Sequence, residues 1–180
     1  MHRNMMCSIS VVILASTGFA WAGDNAGDLA EPLKPFAPFI GKTWKGEFKN
    51  STREKPLFDV ARWERGLNGK AVRVLHSVND GAYGGETIIT WDAAKKSVVY
   101  WYFTTAGFRT EGTMKHEDGK WIGHEIVAGA AGGITEVKST STILPDGRLR
   151  VTAEYLKDGK WGVGREVNYR EAPEAKVIFK

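Results

Sequence analysis

Apolar and polar residues alternate with a period of two along most of this chain, in short runs separated by turn signals. Asn68-Gly69, Asp80-Gly81, Asp92-Ala93, Ala106-Gly107, Asp118-Gly119, Gly132-Gly133, Asp146-Gly147 and Asp158-Gly159 recur roughly every 12–14 residues, slightly wider than the usual spacing of all-β chains. The runs between them are rich in Val, Ile, Thr, Tyr, Trp and Phe, residues that suit a pleated surface. Asx-Gly pairs supply the positive φ that tight hairpin turns require. The pattern predicts strands at Thr43–Lys49, Phe58–Leu67, Lys70–Val78, Glu86–Trp91 and Ser97–Thr104. It continues with Phe108–Met114, Trp121–Val127, Ile134–Leu144, Arg148–Leu156 and Lys160–Tyr169. A last apolar segment, Ala175–Phe179, is expected to add an edge pairing or to cover an open end. Ten strands in meander order must close or stack to hide their edges. The expected fold class is all-β, an up-and-down antiparallel barrel of about ten strands.

The N-terminal third of the pattern is different. Leu33, Phe36, Phe39 and Ile40 follow one another at three- and four-residue spacing, interrupted by Pro35 and Pro38. That spacing predicts a short 3₁₀ or single-turn helix plugging one end of the barrel. Upstream, Arg3, the apolar run Ile9 to Leu14 and Ala20-Trp21-Ala22 have the layout of a secretory signal peptide cleaved after Ala22. The apolar run is too short to span a bilayer. The domain reading is therefore a signal peptide at 1–22, a flexible lead-in at 23–32 and one barrel domain at 33–180. Periplasmic or secreted localisation follows, with no membrane association after cleavage.

Composition narrows the partners. Cys7 is the only cysteine and lies upstream of the apolar run, so the processed chain has no disulfide, thiolate ligand or cysteine nucleophile. Loss of Arg3 leaves 24 basic against 21 acidic side chains, without a run of five like charges. Nucleic-acid binding needs a clustered basic stripe, and none is present.

Gly41-Lys42-Thr43-Trp44, opening the first strand, and Thr90-Trp91-Asp92, closing the fourth, resemble motifs of the DUF1579-type family of bacterial proteins. Thr105-Ala106-Gly107-Phe108-Arg109-Thr110-Glu111-Gly112 and Asn168-Tyr169-Arg170 carry the same resemblance. The likeness runs from about Leu33 onward and implies a calycin-like (lipocalin-like) β-barrel with a short N-terminal plug helix, without an activity to carry over. Lipocalins proper place Gly and Trp two apart, whereas Gly41 and Trp44 are three apart. The calycin resemblance implies that Arg170 stacks over Trp44 at the barrel's base, a cation–π contact.

Candidate chemistry lies where polar residues interrupt apolar faces. In the block Tyr100-Trp101-Tyr102-Phe103, alternation puts the two tyrosines on one face and Trp101 with Phe103 on the other. With the tyrosines inside, Trp101 and Phe103 form an outer apolar patch, either covered by the plug or the tail or used for a homodimer. His76 shares a face with Val72 and Val74. Glu125 shares one with Trp121 and Val127, and Arg165 one with Trp161, Val163, Val167 and Tyr169. If those sets face inward, Glu125 and Arg165 either form a structural ion pair or act as polar handles in an apolar cavity. Glu111, Glu125 and Glu136 are the carboxylates available for acid–base work; Glu111 and Glu125 are the catalytic candidates.

Metal and haem are weakly served. His76, His116 and His124 form no H-x-H pair. His76 or His124 suits an axial haem position on an apolar wall, but haem-binding calycin-like barrels place that histidine near the chain's end, where this sequence has none. No metal or cofactor is expected. No G-x-S-x-G elbow occurs, and Gly129–Gly133 lacks the lysine and helix of a phosphate loop; it reads as a rim loop over the barrel mouth. The expected function is interior binding of a small, largely apolar molecule. Trp91, Tyr100, Tyr102 and Trp161 would form walls, and His76, Glu125 and Arg165 would orient the guest. The alternatives are an isomerase, cyclase or hydrolase using the same cavity, and a filled-core structural or interaction protein.

Overall fold

The computed structural model describes residues 28–129 and 132–180. Residues 1–22, expected from sequence to be a signal peptide, and the expected lead-in as far as residue 27 lie outside the described residues. Ten strands follow the plug: β1 (Thr43–Phe48), β2 (Phe58–Gly66), β3 (Ala71–Val78), β4 (Tyr83–Asp92) and β5 (Ser97–Thr104). The second half comprises β6 (Arg109–Glu117), β7 (Lys120–Ala128), β8 (Ile134–Ile143), β9 (Leu149–Lys157) and β10 (Lys160–Glu171). Every strand pairs antiparallel with its sequence neighbours, and β10 pairs with β1, from Trp44 opposite Glu171 to Phe48 opposite Val167. The sheet is a closed up-and-down barrel, so it has no free edge.

The turn chemistry is local and works as the alternation requires. Asp118-Gly119 and Asp158-Gly159 both have positive φ, 51° then 72° in each, the two-residue turn whose twist matches the flanking strands. Asn68 and Asp80 adopt the same left-handed conformation inside 3₁₀ turns.

One end of the barrel is stoppered. A 3₁₀ helix, Glu31–Phe39, inserts Leu33, Phe36 and Phe39 into the core. The Phe39 ring lies 4.9 Å from Trp63, 5.1 Å from Trp121 and 5.7 Å from Trp44. Each such side chain taken out of water contributes about 1.5–3 kcal/mol. Residues 28–32, read from sequence as part of a flexible lead-in, are docked instead. Leu29 is 4% exposed within the core, and the Ala30 N–H donates to the Gly69 carbonyl at 2.8 Å. The plug therefore begins earlier than its apolar spacing suggests.

Three further expectations are corrected. Arg170 does not stack on Trp44: it faces outward opposite Lys45, while Trp44 points into the barrel, and the cation nearest its ring is Lys42 at 5.8 Å. Ala175–Phe179 forms no strand; it lies on the outer wall near the turn between β3 and β4, where the Ile178 N–H donates to Ser77 Oγ at 3.0 Å. Finally, β10 does not keep one face. Its register with β9 shifts between Val163 and Glu166, a bulge that puts an extra residue on β10 and reverses the alternation. Trp161 and Val163 consequently point outward, Val163 at 97% exposure, while Arg165, Val167 and Tyr169 point inward.

Candidate functional site

The barrel interior is incompletely filled. A deep lobe of about 170 Å³ lies above the plug, bounded by Trp63, Ile89, Tyr100, Met114, Leu149 and Val151 among others. A second lobe of about 170 Å³ lies toward the opposite, unplugged end, against Tyr83, Phe108, Val127, Val137 and Tyr155. Tyr102, Glu125 and Arg165 line both lobes and form the polar waist between two mostly apolar chambers.

A continuous hydrogen-bonded chain crosses the wall of the deep lobe. Asp59, 4% exposed on β2, accepts from the Tyr169 hydroxyl at Oδ2 (2.6 Å) and from His76 Nδ1 at Oδ1 (2.9 Å). His76 Nε2 lies 2.7 Å from the Tyr102 hydroxyl, which lies 2.7 Å from that of Tyr83. With Asp59 fixing the Nδ1 proton, a neutral His76 accepts from Tyr102 and Tyr83 donates onward to Tyr102. An imidazolium reverses both bonds. Burial, reinforced by the bond to Tyr83, pushes the Tyr102 phenol well above its ordinary range, so it stays a neutral donor–acceptor. Burial raises Tyr100 as well, with Glu125 adding to the effect.

Glu125 projects from β7 and accepts from the Thr110 hydroxyl. Burial pushes its carboxyl above the ordinary value; the Thr110 bond and the charges of Arg165 and His124 pull it back only in part. Glu125 and Arg165 do not form the ion pair that their shared burial suggested: among the described residues, Arg165 has no carboxylate within 4 Å. Arg165 reaches between the two lobes, and much of its surface is open to them.

Of the sequence-predicted wall and handle residues, His76, Tyr100, Tyr102, Glu125 and Arg165 all line the interior. Trp91 and Trp161 do not. Trp91, 38% exposed, shares the inward parity of Ile89 but sits at the plugged rim, in a cleft with His116 and Trp121 and outside both lobes. Trp161 lies outside under the Lys138 ammonium, 4.0 Å from the ring centroid, because of the β10 bulge. The acid–base candidates are also separated. Glu111 is on the outer surface beside Arg109 (3.5 Å), and Glu136 is outside on His124 Nε2 (2.7 Å), leaving Glu125 alone within. Of the two histidines considered for haem, His124 thus faces outward, and both ring nitrogens of His76 are engaged by protein groups. Trp101 and Phe103 are outside as expected; Trp101 is half-buried and Phe103 is 49% exposed.

Asp59, Tyr83, Thr110 and Tyr169 were not singled out from sequence as site residues. Asp59 was legible: Asp59, Ala61 and Trp63 share a face, and a lone acid among apolar neighbours is the same signal that marked His76. Tyr83 lies ahead of the expected strand Glu86–Trp91, which stops short of Gly84-Gly85. Both glycines are strand residues; a Cβ at Gly85 would sit 2.2 Å from the Phe103 carbonyl and 2.5 Å from the Tyr102 ring. The arrangement can bind and orient a guest of one or two rings, and it can pass a proton along the Asp59–His76–Tyr102–Tyr83 chain. No family model matches the chain, and no curated protein matches it; the ten-strand antiparallel barrel fits a calycin-like fold, and no family match supports the DUF1579-type assignment.

Proposed function

We propose that this protein binds a small, largely apolar molecule inside the barrel, entering through the end opposite the plug. The observation that carries this reading is the unfilled interior itself: two apolar lobes meeting at Tyr102, Glu125 and Arg165. Interiors normally pack with few voids larger than a water molecule, and a cavity of about 150 Å³ suffices for benzene. Each lobe thus suits one ring or a short aliphatic chain, and the polar waist supplies orientation. Native mass spectrometry of the chain purified from its source, compared with its denatured mass, tests the reading. A retained small-molecule adduct, lost in the Tyr102→Ala/Arg165→Ala double variant, supports it. A clean apo mass after incubation with cell extract refutes it and favours an interaction protein.

The layout of residues 1–22 supports export in the same reading; N-terminal sequencing of the secreted protein should begin at Gly23. The second reading, catalysis in the same cavity, is favoured by the hydrogen-bonded chain from Asp59 to Tyr83 and by the raised carboxyl of Glu125, suited to a general base. A bound molecule recovered chemically changed by wild type, but unchanged by Glu125→Gln or His76→Gln, would establish it.

A further inference from the structure

Arg165 is the one cation in the polar waist, and its surroundings do not satisfy it. A guanidinium carries five N–H donors and stays charged at any ordinary pH. Among the described residues, none of those donors has an acceptor within hydrogen-bonding distance. The two buried acids of the interior are committed elsewhere. Asp59 has one oxygen on His76 and the other on Tyr169, and Glu125 is held by Thr110. The open surface of Arg165 faces the two lobes and not a protein acceptor, so its donors are left to whatever occupies them.

The chain departs from regular strand geometry to put this side chain there. The bulge in β10 places Gly164 and Arg165 together opposite Ala153. Gly164 passes so close to β9 that a Cβ would lie 2.8 Å from the Ala153 carbonyl and 2.9 Å from the Tyr155 ring. Without the bulge, Arg165 would follow the parity of Trp161 and Val163, both outside. The Tyr100 hydroxyl, beside Gly123 and Ser139, has no partner among the described residues either, and it faces the same lobe.

We infer that the natural occupant is a small organic anion, an aryl or short-chain carboxylate, whose head group pairs with Arg165 while its apolar body fills a lobe. This rests on the interior-binding reading above and specifies it. Carboxylate geometry matches the guanidinium fork through two parallel hydrogen bonds. Glu125 stands beside that head group; burial raises its carboxyl above the ordinary value, and whenever it carries its proton it donates to the anion.

The test is calorimetric titration of cargo-free protein with 3-phenylpropionate and with 3-phenylpropanamide, which share size and apolar body. Wild type should bind the acid about 10–100-fold more tightly than the amide, the range of a charge-assisted hydrogen bond. Arg165→Met should lose that preference while still binding the amide, and Arg165→Lys should recover part of it. In wild type, the acid should also raise the melting temperature more than the amide does. Equal affinity for acid and amide in wild type overturns the anion inference and leaves the interior-binding reading standing. Failure of both, and of toluene, to bind wild type removes the interior-binding reading and the inference with it.

Discussion

Removal of a single hydroxyl, Tyr169→Phe, probes the interior network most directly. Tyr169 is buried at 7% exposure and donates to Asp59 Oδ2 at 2.6 Å across 110 residues of chain. Phenylalanine keeps the ring and its packing against the core, so almost no cavity is created and the loss is confined to the hydrogen bond. A bond to a charged group contributes about 1.5–3 kcal/mol, and the stranded Asp59 oxygen keeps its desolvation cost. Water entering the deep lobe, which both residues border, relieves part of that cost and favours the lower half of the range. At about 2–4 °C per kcal/mol for a domain of this size, the melting temperature should fall by about 3–9 °C. Urea titration followed by tryptophan fluorescence gives the free energy, and a double cycle with Asp59→Asn isolates the pair. The effect should spread: Asp59 orients His76, which holds Tyr102 at the waist, so ligand affinity should fall along with stability. A Tyr169→Phe variant within about 0.5 kcal/mol of wild type, with no coupling to Asp59→Asn, would refute the reasoning and mark the carboxylate as solvated by water.

Three other outcomes follow from the same geometry. Glu125 binds its proton more tightly in the folded than in the unfolded state, where its value is about 4.5. Its stabilising contribution is therefore complete below that value and is lost as pH rises through the raised folded value. Melting curves against pH should show this decline in wild type and not in Glu125→Gln; a parallel pair of curves contradicts it. Phe39→Ala removes the centre of the plug, 2% exposed among Trp44, Trp63 and Trp121, and should cost about 3–5 kcal/mol in urea unfolding. Trp91→Ala and Trp161→Ala, both away from the two lobes, should leave the affinity for any interior ligand within about 0.5 kcal/mol of wild type; a larger loss would place either ring at the site.

The alternation and the Asx-Gly turns determined the ten strands, their order and most of their bounds. These are local properties: side-chain parity and turn conformation are set by residues a few positions apart. The bounds of Ser97–Thr104 were legible for that reason, as was the shared face of Trp121, Glu125 and Val127 on β7; which face turns inward was not. The plug was legible too, since the three-residue spacing of Leu33, Phe36 and Phe39 marks one face of a 3₁₀ helix. What the chain's pattern could not carry was any feature defined by a partner strand. The β10 bulge exists only relative to β9, and it sends Trp161 outside and Arg165 inside although their spacing puts them on one face. Gly84 and Gly85 lie ahead of the expected strand, and the backbones and rings that forbid a Cβ there come from elsewhere in the chain. The site itself joins residues 17, 26 and 110 positions apart. Closure of the barrel decided that Asp59 meets both His76 and Tyr169, and that Arg165 meets no acid. A hydrogen bond depends on the position of two groups in space, and only the first of them is written into the local alternation.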